Sequence, residues 1–286
     1  MAHGSWRTPV ELGRSGLRVS RLGIGSSYGV CARTICRAFD QGINYLYWGT
    51  YRTEEMAAGI RQLAPHHRDE IVVVVQSYSR LGWLMKKTFQ HGLGRLGLDH
   101  ADVLLLGLRN RPPAERIMQA AADLNRAGLV RHLAISAHHR PMFRTYIDDP
   151  RFDIIQVRYN AVHPGAEQDV FPHLPDTGGP GVTTYTATCW GQLLAPELIP
   201  PGEPLPRASD CYRFVLSHPK VHLCMCGPAN DAQMDEAIAA LDRGRMTDDE
   251  LAWMRRVGKH IYDRKRSLKS LCRAIRTQTG AVKNVR

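Results

Sequence analysis

Residues 42–55, GINYLYWGTYRTEE, join a turn glycine, an apolar strand and the start of a helix. The segment INYLY has the aromatic and β-branched composition of a buried strand. Glu54 and Glu55 are suited to the first turn of the following helix, where they face the positive end of its dipole. A strand that leads directly into a helix is the unit of parallel α/β folds, and barrel enzymes place their reactive groups where such strands end. The end of this strand, at Tyr47, is therefore expected at the mouth where barrel enzymes keep their chemistry.

The same unit recurs along the whole chain. Apolar segments predict eight strands, at residues 22–25, 43–47, 71–75, 102–106, 133–136, 154–157, 181–185 and 221–225. Helices are expected between and after them, at residues 32–40, 54–63, 84–96, 113–127, 141–147, 167–173, 210–217 and 231–241. Eight alternating strands and helices predict an α/β fold, a (β/α)8 TIM barrel. Residues 9–20 predict an N-terminal β-hairpin, and residues 248–262 an extra C-terminal helix.

The chain of 286 residues suits one such barrel. No linker precedes Arg264, so we assign residues 1–262 to the barrel and 263–286 to a basic C-terminal helix or tail. This tail is either part of the same domain or partly disordered. It holds eight basic residues and one acid, or +7 of the net charge of +11. Its basic face is either simply solvated or binds an acidic partner; nucleic acid is unlikely because no recognition motif accompanies it.

Composition sets the broad class. The hydrophobic fraction of 43% and the charged fraction of 23% are typical of a soluble globular protein. No run of apolar residues is long enough to span a bilayer, and the first residues show no targeting signal, so a cytoplasmic protein without a membrane interaction is expected. The seven cysteines include no CxxC pair, so no metal site is expected. The sequence gives no indication of the oligomeric state.

Seven segments stand out for their order and spacing: LGRSGLRVSRLGIGS, GIN with its EE helix start, RLGLDHADVLLL, GLVRHLAIS, IIQVRYN, VTTYTATCWGQLL and GPANDAQMDEAI. Through them the chain resembles the aldo-keto reductases over nearly its whole length. It implies a (β/α)8 barrel whose N-terminal hairpin closes the base. It also implies hydride transfer between a nicotinamide and a carbonyl, with a tyrosine hydroxyl protonating the alkoxide.

The catalytic positions implied by the resemblance are changed. The family uses an Asp, a Tyr, a Lys and a His; the Asp position is Tyr47, the Lys position is Gln76 and the His position is Gly107. The Tyr position falls on Tyr51 if one residue is deleted before Glu54. The tetrad is therefore degenerate, and Tyr51, Tyr47 and Gln76 are the candidate catalytic residues. Alternatively, the tyrosines form a packed aromatic wall.

The cofactor positions are better matched to the family. The resemblance places Ser136 and Gln156 at the nicotinamide carboxamide, Tyr185 against the nicotinamide ring and Thr186 near the pyrophosphate. At the adenosine end, the family has a basic residue that binds the 2′-phosphate, and this chain has Ala229 at that position. NADPH and NADH are therefore expected to bind with little preference. The other residues assigned to the adenosine end are Gly227, Asn230 and Gln233. Alternatively, Ser136 and Gln156 are only satisfied polar groups at strand ends.

Two functions follow. The first is a nicotinamide-binding oxidoreductase that acts on a small carbonyl or alcohol with a non-standard proton donor. The second is a barrel without hydride transfer: an isomerase, cyclase or lyase, or an inactive partner protein that has lost the Asp, Lys and His of the tetrad.

Overall fold

Eight parallel strands form the centre of the molecule. A computed structural model describes residues 6–49 and 53–281, and the side chains up to residue 266. The strands are β3 (Leu22–Gly25), β4 (Tyr45–Trp48), β5 (Val72–Ser77), β6 (Ala101–Leu106), β7 (Val130–Ser136), β8 (Ile154–Arg158), β9 (Gly181–Tyr185) and β10 (Leu223–Cys226). They pair in parallel in the order β10-β3-β4-β5-β6-β7-β8-β9 and close into a barrel. The predicted (β/α)8 fold is confirmed.

Nine helices surround the barrel in the described ranges. They are α1 (Ala32–Asp40), α2 (Glu54–His67), α3 (Gly82–Leu96), α4 (Glu115–Arg126), α5 (Met142–Asp148), α6 (Ala166–Asp169), α7 (Ala208–Leu216), α8 (Asp231–Arg243) and α9 (Asp248–Ala281). The helix expected at residues 167–173 is split into α6 and a 3-10 turn, Phe171–His173, because Pro172 cannot donate a backbone hydrogen bond. None of these described helices is long and apolar enough to cross a membrane.

Helix α9 continues well beyond residue 262, where we had placed its end. No proline occurs after Asp248 to interrupt it, and it runs to Ala281. Helix α9 also contacts the long proline-containing loop that connects β9 to α7, residues 186–207. Arg256 forms an ion pair of 2.6 Å with Glu203, and Arg264 donates a 2.6 Å hydrogen bond to the carbonyl of Glu197.

The N-terminal hairpin closes the base of the barrel, as the sequence predicted. Its strands β1 (Val10–Glu11) and β2 (Arg18–Val19) are antiparallel. Leu12, between them, is fully buried among the side chains of the barrel interior. Gly13 has φ +53° and forms a bridge with Pro180; a Cβ atom there would lie 2.2 Å from the backbone nitrogen of Gly181. Only glycine permits this approach.

Alternation along the strands decides which residues face the barrel interior. One cluster of buried side chains fills the interior, and a separate, larger cluster lies between the strands and the helices. On β8, Ile154 belongs to the inner cluster, whereas Ile155 and Val157 belong to the outer one. Because successive side chains of a strand point to opposite faces, Gln156 and Arg158 also face the interior, towards its carboxyl-terminal mouth.

Candidate active site

The mouth of the barrel gathers most of the residues that the sequence singled out. Strand pairing aligns Ser136 with Gln156 and Arg158 with Tyr185, at the carboxyl ends of three adjacent strands. Tyr47 and Gln76 lie at the corresponding ends of β4 and β5. The remaining candidates follow strand ends on the same side: Gly107, Thr186, Gly227, Asn230 and Gln233. Tyr51 lies outside the described residues.

Tyr47 and Gln76 are joined directly. The tyrosine hydroxyl donates a hydrogen bond to Oε1 of the glutamine. Burial raises the pKa of Tyr47 far above its usual value, and the neighbouring tyrosines, Tyr78 first among them, add to this effect. A neutral amide does not stabilise the tyrosinate as a lysine would. Tyr47 is therefore a permanently protonated hydrogen-bond donor at physiological pH.

The space above Gly107 is filled by its neighbours. A Cβ atom at this position would lie 2.3 Å from Nε2 of Gln76 and 2.6 Å from Cε1 of Tyr78. Tyr78 is 55% exposed, so its ring forms part of the surface of the mouth. Our sequence interpretation missed this residue. Its position two residues after Gln76, at the end of a buried strand, was the available signal, because alternate residues share a face.

The side chains of Ser136 and Gln156 differ in their hydrogen bonding. The Ser136 hydroxyl accepts a 3.1 Å hydrogen bond from the backbone N–H of Leu108, and its carbonyl accepts a 2.7 Å bond from that of Arg109. Gln156 is nine-tenths buried, yet its side-chain amide forms no hydrogen bond within the described part of the chain. The amide nitrogen and oxygen are not among the fully buried atoms that lack a partner, so they remain accessible at the mouth. Gln156 is therefore suited to bind a ligand amide, as the family resemblance implies.

Tyr185 presents a second unpaired polar group beside them. Its hydroxyl is buried and has no hydrogen-bond partner among the described residues. Burial raises the pKa of Tyr185 to about 12. Its ring stacks on that of His138, with 6.5 Å between centroids and 23° between planes. An aromatic face with an unpaired hydroxyl at the mouth fits the contact expected for a nicotinamide ring.

The backbone after Tyr185 is strained. Thr186 has φ +62°, a left-handed conformation that is unusual for a β-branched residue, and Cys189 and Trp190 are also left-handed. The fully buried Asn160 holds this turn, because its Nδ2 donates a 2.8 Å hydrogen bond to the carbonyl of Thr186. Strain of this kind collects at functional loops. It marks the turn as a candidate ligand contact.

The candidates after β10 are largely engaged within the protein. The ring of Tyr28 covers Gly227, where an added Cβ atom would lie 2.3 Å from Cδ2 of the ring. Asn230 caps α8 by accepting a 3.0 Å hydrogen bond from the backbone N–H of Gln233. Oε1 of Gln233 accepts a 2.8 Å bond from the backbone N–H of Ala229. Their oxygens therefore shape the turn, and the amide nitrogens remain as donors for a ligand.

The described residues contain no group of three or more His, Cys, Asp or Glu side chains able to hold a metal ion. The six described cysteines are free thiols. Cys224 and Cys226, two residues apart on β10, are both buried, and burial raises the pKa of Cys224 to about 12. Thiolate, the form that binds metals and acts as a nucleophile, is therefore disfavoured there.

Comparison with known proteins agrees with this geometry. The sequence profile described as "Aldo/keto reductase family" matches residues 30–198, more than half of the chain. The chain belongs to the aldo/keto reductase family. This family is one of oxidoreductases, and the resemblance noted in the sequence is confirmed at this level. The matched residues extend from α1 to the loop after β9, so they include most strand ends of the mouth.

Individual relatives are distant. L-galactose dehydrogenase of Arabidopsis thaliana is 24% identical over 278 residues, covering 80% of this chain and 86% of the relative. An aldo-keto reductase of Bacillus halodurans, solved in its holo form, superposes with a TM-score of 0.74 at 20% identity, covering 87% of this chain and 96% of the other. An aldo/keto reductase of Klebsiella pneumoniae, solved in complex with NADP and acetate, gives 0.71 at 21% identity, covering 88% and 95%.

Proposed function

We propose that this protein is a nicotinamide-nucleotide-binding oxidoreductase that acts on a small carbonyl or alcohol substrate. The observation that carries the proposal is the set of aligned residues at the mouth, Ser136, Gln156 and Tyr185. The Tyr185 hydroxyl is buried without a described partner, and the side-chain amide of Gln156 forms no hydrogen bond among the described residues. Family membership and the NADP named for the Klebsiella pneumoniae relative support the same ligand. When bound, the nucleotide supplies or accepts the hydride.

The residues of this chain have distinct proposed roles towards the nucleotide. The side-chain amide of Gln156 and the hydroxyl of Ser136 would hold the carboxamide, and the ring of Tyr185 would pack on the nicotinamide. Thr186, in its strained turn, would contact the pyrophosphate. At the far end, the backbone of Gly227 and the amide nitrogens of Asn230 and Gln233 would contact the adenosine. No metal is required by any of these contacts.

The proton of the reaction requires a donor other than the family arrangement. We propose Tyr51 or Tyr47 as this donor, with Gln76 as a hydrogen-bond partner. In the structure, the Tyr47 hydroxyl is committed to Gln76, so it would have to leave that bond to donate to a substrate. General acids work best when their pKa lies near the working pH, and the pKa of Tyr47 is raised well away from it. Slow turnover is therefore part of the proposal.

The same cluster favours a second candidate function. A barrel in which Tyr47, Gln76 and Tyr78 fill the catalytic side of the mouth could bind a nucleotide or another small molecule without transferring hydride. It would then be a non-redox enzyme or an inactive partner protein. The two functions share the fold and differ only in the chemistry at this cluster.

Titration of the purified protein with NADH and NADPH, followed by nicotinamide fluorescence, tests the proposal. We expect saturable binding that is weakened in Gln156→Leu, which removes the amide while nearly preserving side-chain volume. The matched control is Gln119→Leu, because Gln119 lies on the outer helix α4, remote from the mouth. Absence of binding to either nucleotide by the folded protein would overturn the proposal and leave the second function.

A further inference from the structure

Arg158 is a cation at the mouth that has no counter-ion among the described residues. It is the last residue of β8, two residues beyond Gln156 and on the same interior-facing side of the strand. Its side chain is half-buried, yet its guanidinium forms neither an ion pair nor a hydrogen bond with any described residue. Its nitrogens are not among the fully buried atoms that lack a partner, so they are accessible to a ligand at the mouth.

The neighbours of Arg158 complement this charge. Arg158 is the pairing partner of Tyr185 across β8 and β9, and the buried Tyr185 hydroxyl has no partner of its own. The ring of His138 stacks on that of Tyr185. The charge of Arg158 reaches both groups, because it contributes to lowering the pKa of His138 and opposes the burial that raises the pKa of Tyr185. The guanidinium and the buried hydroxyl are therefore neighbouring donors without a described partner.

A second cation approaches from α9. Lys265 and Arg158 both oppose the burial that raises the pKa of the Cys189 thiol, so both charges lie near the loop after β9. Lys265 likewise forms no ion pair among the described residues. The position of α9 beside this loop is fixed by the bond from Arg264 to the carbonyl of Glu197.

The acids of the short helix α6, which follows β8, have their own partners. Glu167 pairs with Arg255 at 3.0 Å, and Asp169 pairs with Arg140 at 2.6 Å. Arg158 and Lys265 are cations without an ion pair among the described residues, and such cations attract anions.

We propose that Arg158 and the Tyr185 hydroxyl form an anion-binding subsite that takes the carboxylate or phosphate group of a small-molecule substrate. The assignment to a substrate rests on the proposed function, in which Ser136 and Gln156 hold the nicotinamide beside this subsite. Planar guanidinium groups bind carboxylate and phosphate oxygens with two parallel hydrogen bonds. The pyrophosphate of the nucleotide offers the same chemistry and is the competing source.

The first experiment tests the subsite without the nucleotide. Acetate binding to the free protein is measured from the line width of its methyl proton signal, with acetamide as the neutral isostere and inorganic phosphate as a competitor. Loss of one charge-assisted contact corresponds to about tenfold to hundredfold in affinity. We therefore expect Arg158→Gln to weaken acetate and phosphate binding by that factor and to leave acetamide unaffected. Arg158→Lys should retain part of the affinity.

Arg144→Gln is the matched control, because Arg144 is an exposed arginine of the outer helix α5 without a described ion pair. It should bind acetate as the unmodified protein does. Equal acetate affinity in Arg158→Gln and in the unmodified protein would overturn the subsite. A thermal melt of each variant establishes that it is folded, and the Arg158→Lys variant keeps the test valid if Arg158→Gln does not fold.

The second experiment separates substrate from nucleotide. NADH and NADPH are titrated into the same variants, and acetate binding is repeated with nucleotide bound. Unchanged nucleotide affinity in Arg158→Gln, together with lost acetate affinity, supports the substrate assignment. Loss of nucleotide affinity by the same factor would overturn it and assign the subsite to the pyrophosphate. Arg158-dependent acetate binding by a protein that binds no nucleotide supports the subsite and overturns the proposed function instead.

Discussion

The hydroxyl of Tyr47 donates its hydrogen bond to Oε1 of Gln76, across the adjacent strands β4 and β5. In the family that the chain resembles, these two positions hold an aspartate and a lysine, which form a charged pair. Here both members are neutral: the glutamine does not titrate, and burial keeps the tyrosine protonated. This pair therefore supplies no cation to favour a tyrosinate.

Installing a lysine at position 76 should increase carbonyl reduction. A cation close to a catalytic tyrosine lowers the tyrosine pKa towards the working pH, and well-matched acid–base catalysis is worth about 10²–10⁴ in rate. We expect a rate gain within this range for Gln76→Lys, measured from NADPH oxidation with a simple aldehyde. Gln76→Met, of similar length and without charge, should give none. Rapid aldehyde reduction by the unmodified protein would show that the proton follows another route.

Phenylalanine substitutions should identify the proton donor. If Tyr51 is the donor, Tyr51→Phe should abolish the remaining reduction while nucleotide affinity is unchanged, because only the hydroxyl is removed. If Tyr47 is the donor, Tyr47→Phe should have this effect instead. Single-turnover rates and nucleotide titrations of both variants distinguish the cases. Activity that survives in both variants, and in the double variant, would exclude both tyrosines.

A side chain at position 107 should destabilise the fold. The Cβ atom of Gly107→Ala would meet Gln76 and the Tyr78 ring, and overpacking of this kind costs about 1–3 kcal/mol. We expect a loss of that size in the free energy of unfolding, measured by urea denaturation. The loss should shrink when the same change is made in a Tyr78→Ala background. An equal loss in both backgrounds would show that the ring is not the obstacle, and a histidine installed here would not need Tyr78 to move.

Nucleotide preference should be weak and controlled at position 229. Ala229 is exposed, and the carboxylate of the neighbouring Asp231 disfavours a phosphate. Two other arginines, Arg80 and Arg109, follow β5 and β6. Strand β6 is four strands from β10, across the barrel, so these arginines are not expected to replace the missing contact. Ala229→Arg should raise the affinity for NADPH over NADH by about tenfold to hundredfold, and Ala229→Met should not.

Fluorescence titrations with both nucleotides measure this preference. A hundredfold preference for NADPH in the unmodified protein would contradict the prediction. It would point to another cation near this turn, such as Arg33, which pairs with Asp231 at 3.7 Å.

Stability should fall as the pH drops below neutrality. Burial lowers the pKa of His138, His218 and His222 below the ordinary 6.5. As the pH falls, these histidines are therefore protonated at a higher pH in the unfolded chain than in the folded one. The contribution of these histidines to the free energy of unfolding is therefore fully present above pH 6.5 and is lost as the pH falls towards their folded pKa values. The free energy of unfolding changes by at most about 1.4 kcal/mol per pH unit for each proton bound.

His222→Asn should reduce this slope. Nδ1 of His222 accepts a 3.1 Å hydrogen bond from the backbone N–H of Val182, and an asparagine oxygen can accept the same bond without titrating. Urea denaturation between pH 5 and 7.5 measures the change. An unchanged slope would show that His222 does not contribute to it.

The sequence by itself determined the elements and their order. A segment such as IVVVV, which supplies most of β5, has few alternative conformations, because its composition biases the backbone directly. Helix starts such as Glu54-Glu55 act in the same way. The hairpin at the base and the family membership were equally visible. Even the candidate positions Tyr47, Gln76 and Gln156 could be placed at strand ends, because the alternation of strand side chains is a local property.

Only the tertiary structure decided which of these residues contact or pair with one another. Tyr78 covers Gly107, and Arg158 has no partner among the described residues, because of the register between strands and the closure of the barrel. Ion pairs likewise join groups far apart in sequence, as Glu167 and Arg255 on α9 show. Such pairings are set by long-range packing, to which no local pattern in the sequence corresponds.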